Sequence, residues 1–394
     1  MAYIYPFKGL KYSNMKKEVV APPYDVIDKH YREQLIQNSE HNIVKIVLPD
    51  SYDKAKELLN EWLNSNILNM DDDCFYYLYT AQYEFDGIKK TVKGFLGALK
   101  LEEFGGNIKP HEKTLKGPKI DRFNLITKTN AMFCPIMGIY ESNKTISKII
   151  DNIILSEQPI IDVEFEHITH KIYRIKNTQT IHLELKDKNI IIADGHHRYE
   201  TALMIKEYFN KQGIKDGGFN YIMTLFVDSK DGGLSLFPIH RLVKKVDSFE
   251  KFLSDLKEYF TITKDIQNCD FVMYHDKQYY CLKFKPKRDD DLIKGLDVSI
   301  FEDYIYKRIL KLTDDDIKNQ HIAGYAHSKE EVINTVDNKE AEIGFILNPM
   351  NYDDLVKIAN NGLTVPQKST FFYPKIPSGL IGYHFDSIKE CEDV

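Results

Sequence analysis

The chain of 394 residues holds only five cysteines, Cys74, Cys134, Cys269, Cys281 and Cys391, an odd number with no Cys-x-x-Cys pair. That excludes a zinc ribbon and argues against a disulfide framework. No apolar run approaches the roughly 20 residues needed to cross a bilayer. The N-terminal segment also lacks the basic start and apolar core of a secretory leader. Positive charge is not in excess: 53 Lys and Arg face 59 Asp and Glu, a formal net charge of -6, which disfavours nucleic acid as the main partner. Internal repeats and low-complexity tracts are missing. Tryptophan occurs once, but 25 Tyr and 22 Phe supply core material and, with 43% hydrophobic residues, exclude intrinsic disorder. The expectation is a soluble cytoplasmic protein of about two or three domains, without membrane or nucleic-acid partners.

Pattern along the chain alternates irregularly between strand and helix, which predicts an α+β fold more than a doubly wound sheet. Asn42–Leu48 reads as a strand and Tyr52–Leu63 as an amphipathic helix. Two aromatic and β-branched runs between Cys74 and Leu101 flank Asp86-Gly87, a hairpin signal. A polar stretch from Gly105 to Asn130 predicts a long loop, and such loops are commonly functional. Ala131–Tyr140 reads as a strand, Thr145–Leu155 as a helix, and Ile300–Leu312 as another helix. Glu164, Glu166, His167 and His170 lack the spacing of a zinc protease and read as a solvated element.

The strongest chemical signal is a strand-to-helix junction, Asp194-Gly195-His196-His197-Arg198, after the apolar run Ile190–Ala193. A helix start carries unpaired N–H groups and partial positive charge, which attract phosphate. Gly195 allows close approach of a ligand, while His196, His197 and Arg198 add donors. Asp194 either caps the helix, holds a magnesium ion or orients a histidine.

The stretch Ile192–Leu203, IADGHHRYETAL, resembles the signature turn of the superfamily joining ParB-type partition proteins, sulfiredoxins and archaeal free-serine kinases. The chain as a whole is similar to a long bacterial and archaeal family. That family carries the same turn together with segments matching Ala21–Ile27, His111–Thr114, Asp121-Arg122, His240–Leu242 and Pro366–Lys375. The resemblance implies a ParB/sulfiredoxin-like catalytic core split over 1–50 and 160–245. An inserted hairpin and lid region over 51–159 and a C-terminal α+β domain over 246–394 complete the expectation.

The activity implied is phosphoryl transfer from ATP, ADP or pyrophosphate, with Mg2+, to free L-serine, giving O-phosphoserine. Asp25, two residues after Pro23, matches the carboxylate that serves as base in the kinases, where it is usually glutamate; an Asx turn is the other reading. His197 is expected beside it in catalysis. Gly195, His196, His197 and Arg198 would bind phosphate, and so would Lys113, Thr114 and Arg122 from the long loop. Lys368, Ser369 and Thr370 have the donor types of a phosphate turn without the glycine lead of a P-loop, and serve equally as a structural turn. His240 and Arg241 either approach the substrate or form a pair at a strand end. Two alternatives are a kinase for another hydroxyl acceptor and a ParB-like nucleotide-binding switch on DNA. A sulfiredoxin-like reductase is set aside, because the turn contains no cysteine.

Overall fold

The computed structural model describes residues 2–112, 118–186 and 188–392. Lys113 and Thr114, expected as phosphate ligands, lie outside the described residues. The described residues fall into two compact units. The first takes its residues from Met1–Pro110, Thr114–Ser235 and Pro374–Val394, the second from His111–Lys113 and Leu236–Tyr373. The fold is mixed α+β with several sheets.

The first unit is built on a mixed sheet of strands β1 (Ile4–Tyr5), β2 (Tyr76–Phe85), β3 (Ile88–Lys100), β4 (Ile108–Pro110), β5 (Ile136–Tyr140), β6 (Ile161–Phe165), β7 (Ile168–Ile175), β8 (Ile190–Asp194) and β9 (Tyr221–Asp228). Their order is β4-β8-β5-β9-β3-β2-β7-β6, with β1 on β3. The pairs β8–β4 and β9–β5 are parallel and the others antiparallel. β5 and β9 are buried almost throughout, as strands covered on both faces are. Helices α1 (Pro118–Thr129), α2 (Lys144–Ser156) and α3 (His196–Lys211) belong to the same unit. The expected boundaries at 50, 159 and 245 do not coincide with this division. Strands from 51–159 share a sheet with β8 and β9, and the last residues of the chain belong to the first unit.

The second unit carries an antiparallel sheet of β10 (His240–Val243), β11 (Phe260–Thr263), β12 (Phe271–His275), β13 (Gln278–Phe284), β14 (Ala323–Ala326) and β15 (Ile343–Leu347), in the order β11-β13-β12-β15-β10-β14. Its core joins Phe252 and Leu256 of one helix to Phe271, Leu282 and Phe345 of the sheet. Phe301 and Ile305 pack there from a π-helical stretch, Phe301–Ile309, where the sequence predicted an ordinary helix.

Several local expectations are corrected. Asn42–Leu48 is not a strand: Val44–Val47 forms a short helix. Buried Asn42 organises it, donating to the carbonyls of Glu18 and Val20 at 2.8 Å each and accepting from Val44 N–H. A short apolar run does not distinguish strand from helix by period alone. The 105–130 stretch is not one loop, since β4 and α1 lie within it. The Ala131–Tyr140 strand is interrupted, with Ala131–Met132 pairing Tyr383–His384 before β5 begins. His170 is not solvated. It is buried on β7, with Nδ1 2.9 Å from the Tyr79 hydroxyl, and burial pushes its pKa down to about 4. The cysteines do pair, as Cys74–Cys391 and Cys269–Cys281, leaving Cys134 free.

Asp71 ties the N-terminal segment to the sheet. This carboxylate is 6% exposed and accepts from Lys11, from Arg174 at 2.6 Å and from the Tyr77 hydroxyl at 2.8 Å. Burial alone would raise its pKa, but the hydrogen bonds from Arg174, Lys11 and Tyr77 prevail and hold it below its ordinary value. A depressed folded pKa stabilises above the unfolded value of about 3.9, and that contribution fades as pH falls through the folded value. Asp71→Asn should therefore cost about 3 kcal/mol in urea unfolding at pH 7. The difference from wild type should shrink as the pH drops below about 4.

Candidate functional site

β8 reaches the Asp194 junction through a register shift between Ile192 and Asp194, an irregularity that re-aims the side chains following it. Gly195 then takes φ +90°, and a Cβ there would lie 2.7 Å from Ile136 Cγ2. Glycine is required on both counts. α3 begins at His196, one residue before its predicted start. His196 is buried and His197 half-buried in its first turn.

The Asp194 carboxylate sits between two cations. Arg198 donates to Oδ2, and Lys375 donates to Oδ1 from the C-terminal segment. Arg198 also donates to the Pro135 carbonyl, which fixes its plane. Burial opposes the charge on Asp194, but Lys375 and Arg198 overcome it and hold the carboxyl well below its usual range. Burial likewise disfavours the Arg198 charge, and Asp194 and then Asp25 restore it. Magnesium was expected on Asp194. With both oxygens already receiving cationic donors, Asp194 does not fit a dication ligand in this arrangement. No group of three or more His, Cys, Asp or Glu suited to a metal occurs among the described residues.

Asp25 lies in a single helical turn, Tyr24–Val26, that Pro23 leads into in extended conformation. Its side chain is exposed, and its charge acts on both Arg198 and Tyr24. Burial pushes the Tyr24 hydroxyl up to about 12, against the pull of Arg198 and Arg122. Arg122, buried on α1, stacks 4.1 Å from the Tyr24 ring centroid and donates to the Val47 carbonyl at 2.6 Å and to Asp121 at 2.8 Å. Tyr24, Arg122, Arg198 and Cys134 line a narrow cleft of about 40 Å³, whose remaining walls, such as Val47, Ile126 and Phe133, are mainly apolar. That space holds no more than a few water molecules.

Lys375 arrives on a strap that is itself fixed. Ser378 exchanges backbone hydrogen bonds with Ala21, at 2.7 and 3.2 Å. Its hydroxyl donates to the Pro22 carbonyl at 3.3 Å and lies 2.8 Å from Cys134 Sγ. The Ala21–Ile27 and Pro366–Lys375 segments were singled out in sequence, but Lys375, Tyr24 and Cys134 were not assigned to the site. Lys375 closes the quoted motif and Tyr24 adjoins Asp25, so signals existed for both. Cys134 had none.

The first unit thus brings together Asp25, Arg122, Asp194, Gly195, His196, His197 and Arg198. Lys368, Ser369, Thr370, His240 and Arg241 belong to the second unit and form a cluster of their own. Arg241 is buried, donates to the carbonyls of Ile239 and Lys368 at 2.7 and 2.9 Å, and lies 4.9 Å from the Tyr325 ring centroid. Buried Ser369 donates its hydroxyl to the Pro366 carbonyl at 2.6 Å, and Thr370 Oγ1 is 2.9 Å from His111 Nε2. Lys368 adopts φ +56° and donates its N–H to Glu112 at 3.0 Å. His240 accepts the Leu347 N–H at 3.2 Å, and burial, helped by Lys329, lowers its pKa to about 4.

Residues 4–299 match the family described as "protein of unknown function (DUF1015)". The chain belongs to that family. No curated protein sequence matches it. Among solved structures, the DUF1015 chain is similar to a free serine kinase in complex with AMP at 13% identity and TM-score 0.40, covering 72% of this chain and 90% of that one. It is also similar to a conserved hypothetical protein from Pyrococcus furiosus at 15% identity and TM-score 0.38, over 71% and 93%. SbnI from Staphylococcus aureus, truncated at its C-terminus, follows at 11% identity and TM-score 0.37, over 72% and 85%.

Gly195→Ala combines a strained φ with the Ile136 clash, so it should lower unfolding free energy by about 1–3 kcal/mol. Urea denaturation followed by circular dichroism measures this, and an unchanged midpoint would contradict the tight junction.

Proposed function

We propose that the chain is a small-molecule kinase that transfers a phosphoryl group from a nucleotide, or from pyrophosphate, to the hydroxyl of free L-serine. The observation that carries this reading is an exposed carboxylate, Asp25, set at a turn where its charge acts on Arg198, which lies in the first turn of the helix that starts at His196. The segment resemblances around Asp194, Asp25 and Lys375 support the same reading. It takes the strand, turn and helix around Asp194 as a ParB/sulfiredoxin-like core elaborated by an insertion, with the unit that contains Leu236–Tyr373 as an added α+β domain.

Serine's hydroxyl is a weak nucleophile at neutral pH; Asp25 accepts its proton as the serine oxygen bonds to phosphorus and the donor's phosphorus–bridging-oxygen bond breaks, the shortened nucleotide or phosphate leaving with that electron pair. The first turn of α3, with Gly195, His196 and His197, receives the phosphate oxygens. Asp194 holds Arg198 and Lys375 in fixed directions, so little reorganisation is needed when charge develops on the transferred group. Arg122, braced by Asp121 and Val47, adds a further cation. Lys368, Ser369, Thr370, His240 and Arg241 keep their proposed ligand roles in the second unit. No step is assigned to magnesium, because Asp194 is already engaged.

A second reading is a different hydroxyl acceptor. It is favoured by the apolar walls of the small cleft, including Val47, Ile126 and Phe133, which would take a methyl-sized apolar branch that serine lacks.

A matrix of ATP, ADP and pyrophosphate against serine, other amino acids and polyols, read by phosphorus NMR, tests both readings. O-phosphoserine should appear with at least one donor. Asp25→Asn should cut the rate by about 10²–10⁴-fold while circular dichroism shows the fold intact. Serine binding without product under every donor would contradict the kinase reading, and full activity in Asp25→Asn would remove its base.

A further inference from the structure

A second cleft, of about 530 Å³, opens at the opposite end of the first unit's sheet from Asp194. Asp194 pairs with Met137 at one end of β5, whereas Tyr140 pairs with Ile190 at the other. Tyr140 lines this cleft and is 1% exposed, yet its hydroxyl has no hydrogen-bond partner among the described residues. A buried hydroxyl without a partner is destabilising, so it offers an unused donor and acceptor to a ligand.

Two carboxylates face the phenol. After burial, Asp228 and Asp231 are what raise the Tyr140 pKa. Asp231 accepts the N–H groups of Lys93, Gly233 and Leu234 at 3.1, 3.0 and 2.8 Å, and burial lifts its pKa. Asp228 accepts from Lys230 N–H at 2.8 Å and from the Ser142 hydroxyl at 3.1 Å. Neither carboxylate has an ion pair among the described residues. The rim carries the opposite sign. Exposed Lys89 and Lys230 have no acidic partner among the described residues, while Lys93 pairs with Asp151 at 2.7 Å and Lys90 donates to Ser235 Oγ at 2.9 Å.

A bare anion would be repelled by the inner carboxylates, and a bare cation by the outer lysines. A polyol would satisfy Tyr140 but leave both charged layers unmatched. We infer that this cleft is a ligand site for a zwitterionic amino acid, its ammonium directed to Tyr140, Asp228 and Asp231 and its carboxylate to Lys89 and Lys230. The inference stands apart from the kinase reading and concerns residues that reading does not use.

Isothermal titration of the full chain with glycine, L-serine and γ-aminobutyrate tests it, with ethanolamine, glycolate and glycerol as partial probes. At least one zwitterion should bind with Kd below about 10 mM, and each partial probe should bind at least about tenfold more weakly. Tyr140→Phe should weaken the zwitterion about threefold to tenfold. It removes only the orphaned hydroxyl, so its thermal midpoint should not fall. Lys230→Ala, at an exposed position, should weaken binding without altering the fold. The inference is overturned if no zwitterion binds, if glycolate or ethanolamine binds as tightly, or if both variants bind as wild type does. Loss of binding in Arg198→Gln, with Tyr140→Phe unaffected, would also overturn it by placing the amino acid at the other site.

Discussion

One carboxylate shared by two cations organises the candidate site. Asp194 is the last residue of a buried strand and the first group of the turn into α3, so its position is set by the sheet and not by a loop. Removing it would leave Arg198 and Lys375 as two close, largely buried cations without their common counter-charge. Keeping it makes both cations directional. Arg198 is held by Asp194 on one side and by the Pro135 carbonyl on another, and a guanidinium fixed in that way needs no rearrangement to meet an anion.

The interaction also explains why distant segments must meet. Lys375 reaches Asp194 across 181 positions of sequence. It does so because the strap around Ser378 pairs with Ala21 and closes onto Pro22, and Pro22-Pro23 then delivers Tyr24 and Asp25. The base candidate and one of its cations are therefore positioned by the same few hydrogen bonds. Cys134 lies against the same serine, so the cleft's free thiol reports on the strap as well as on the cleft.

Much of this was legible in the sequence. Asp86-Gly87 announced its hairpin because both residues tolerate the positive φ the turn requires, 51° and 74°. The Asp194–Arg198 junction announced itself through an apolar strand, a glycine and a run of donors. What was not legible depends on tertiary contacts. Asn42–Leu48 became helical because a buried asparagine satisfies backbone groups that a strand would have presented differently. His170 shares one buried face of its strand with Ile168 and Ile172, so its burial follows from the sheet packing. The bond between Cys74 and Cys391 spans 317 positions, which no spacing rule reveals. Lys368, Ser369 and Thr370 have the composition of a ligand turn, but composition does not reveal that their hydrogen bonds run to Arg241, Pro366 and His111 within their own unit.

The central claim is that the turn beginning at Asp194 receives anionic oxygen. A diffraction structure of the protein with ADP tests it most directly. The account predicts phosphate oxygens within about 3.2 Å of the first-turn N–H groups of α3 or of Arg198 or Lys375. ADP bound with its phosphates elsewhere, and this turn left to solvent, would contradict it.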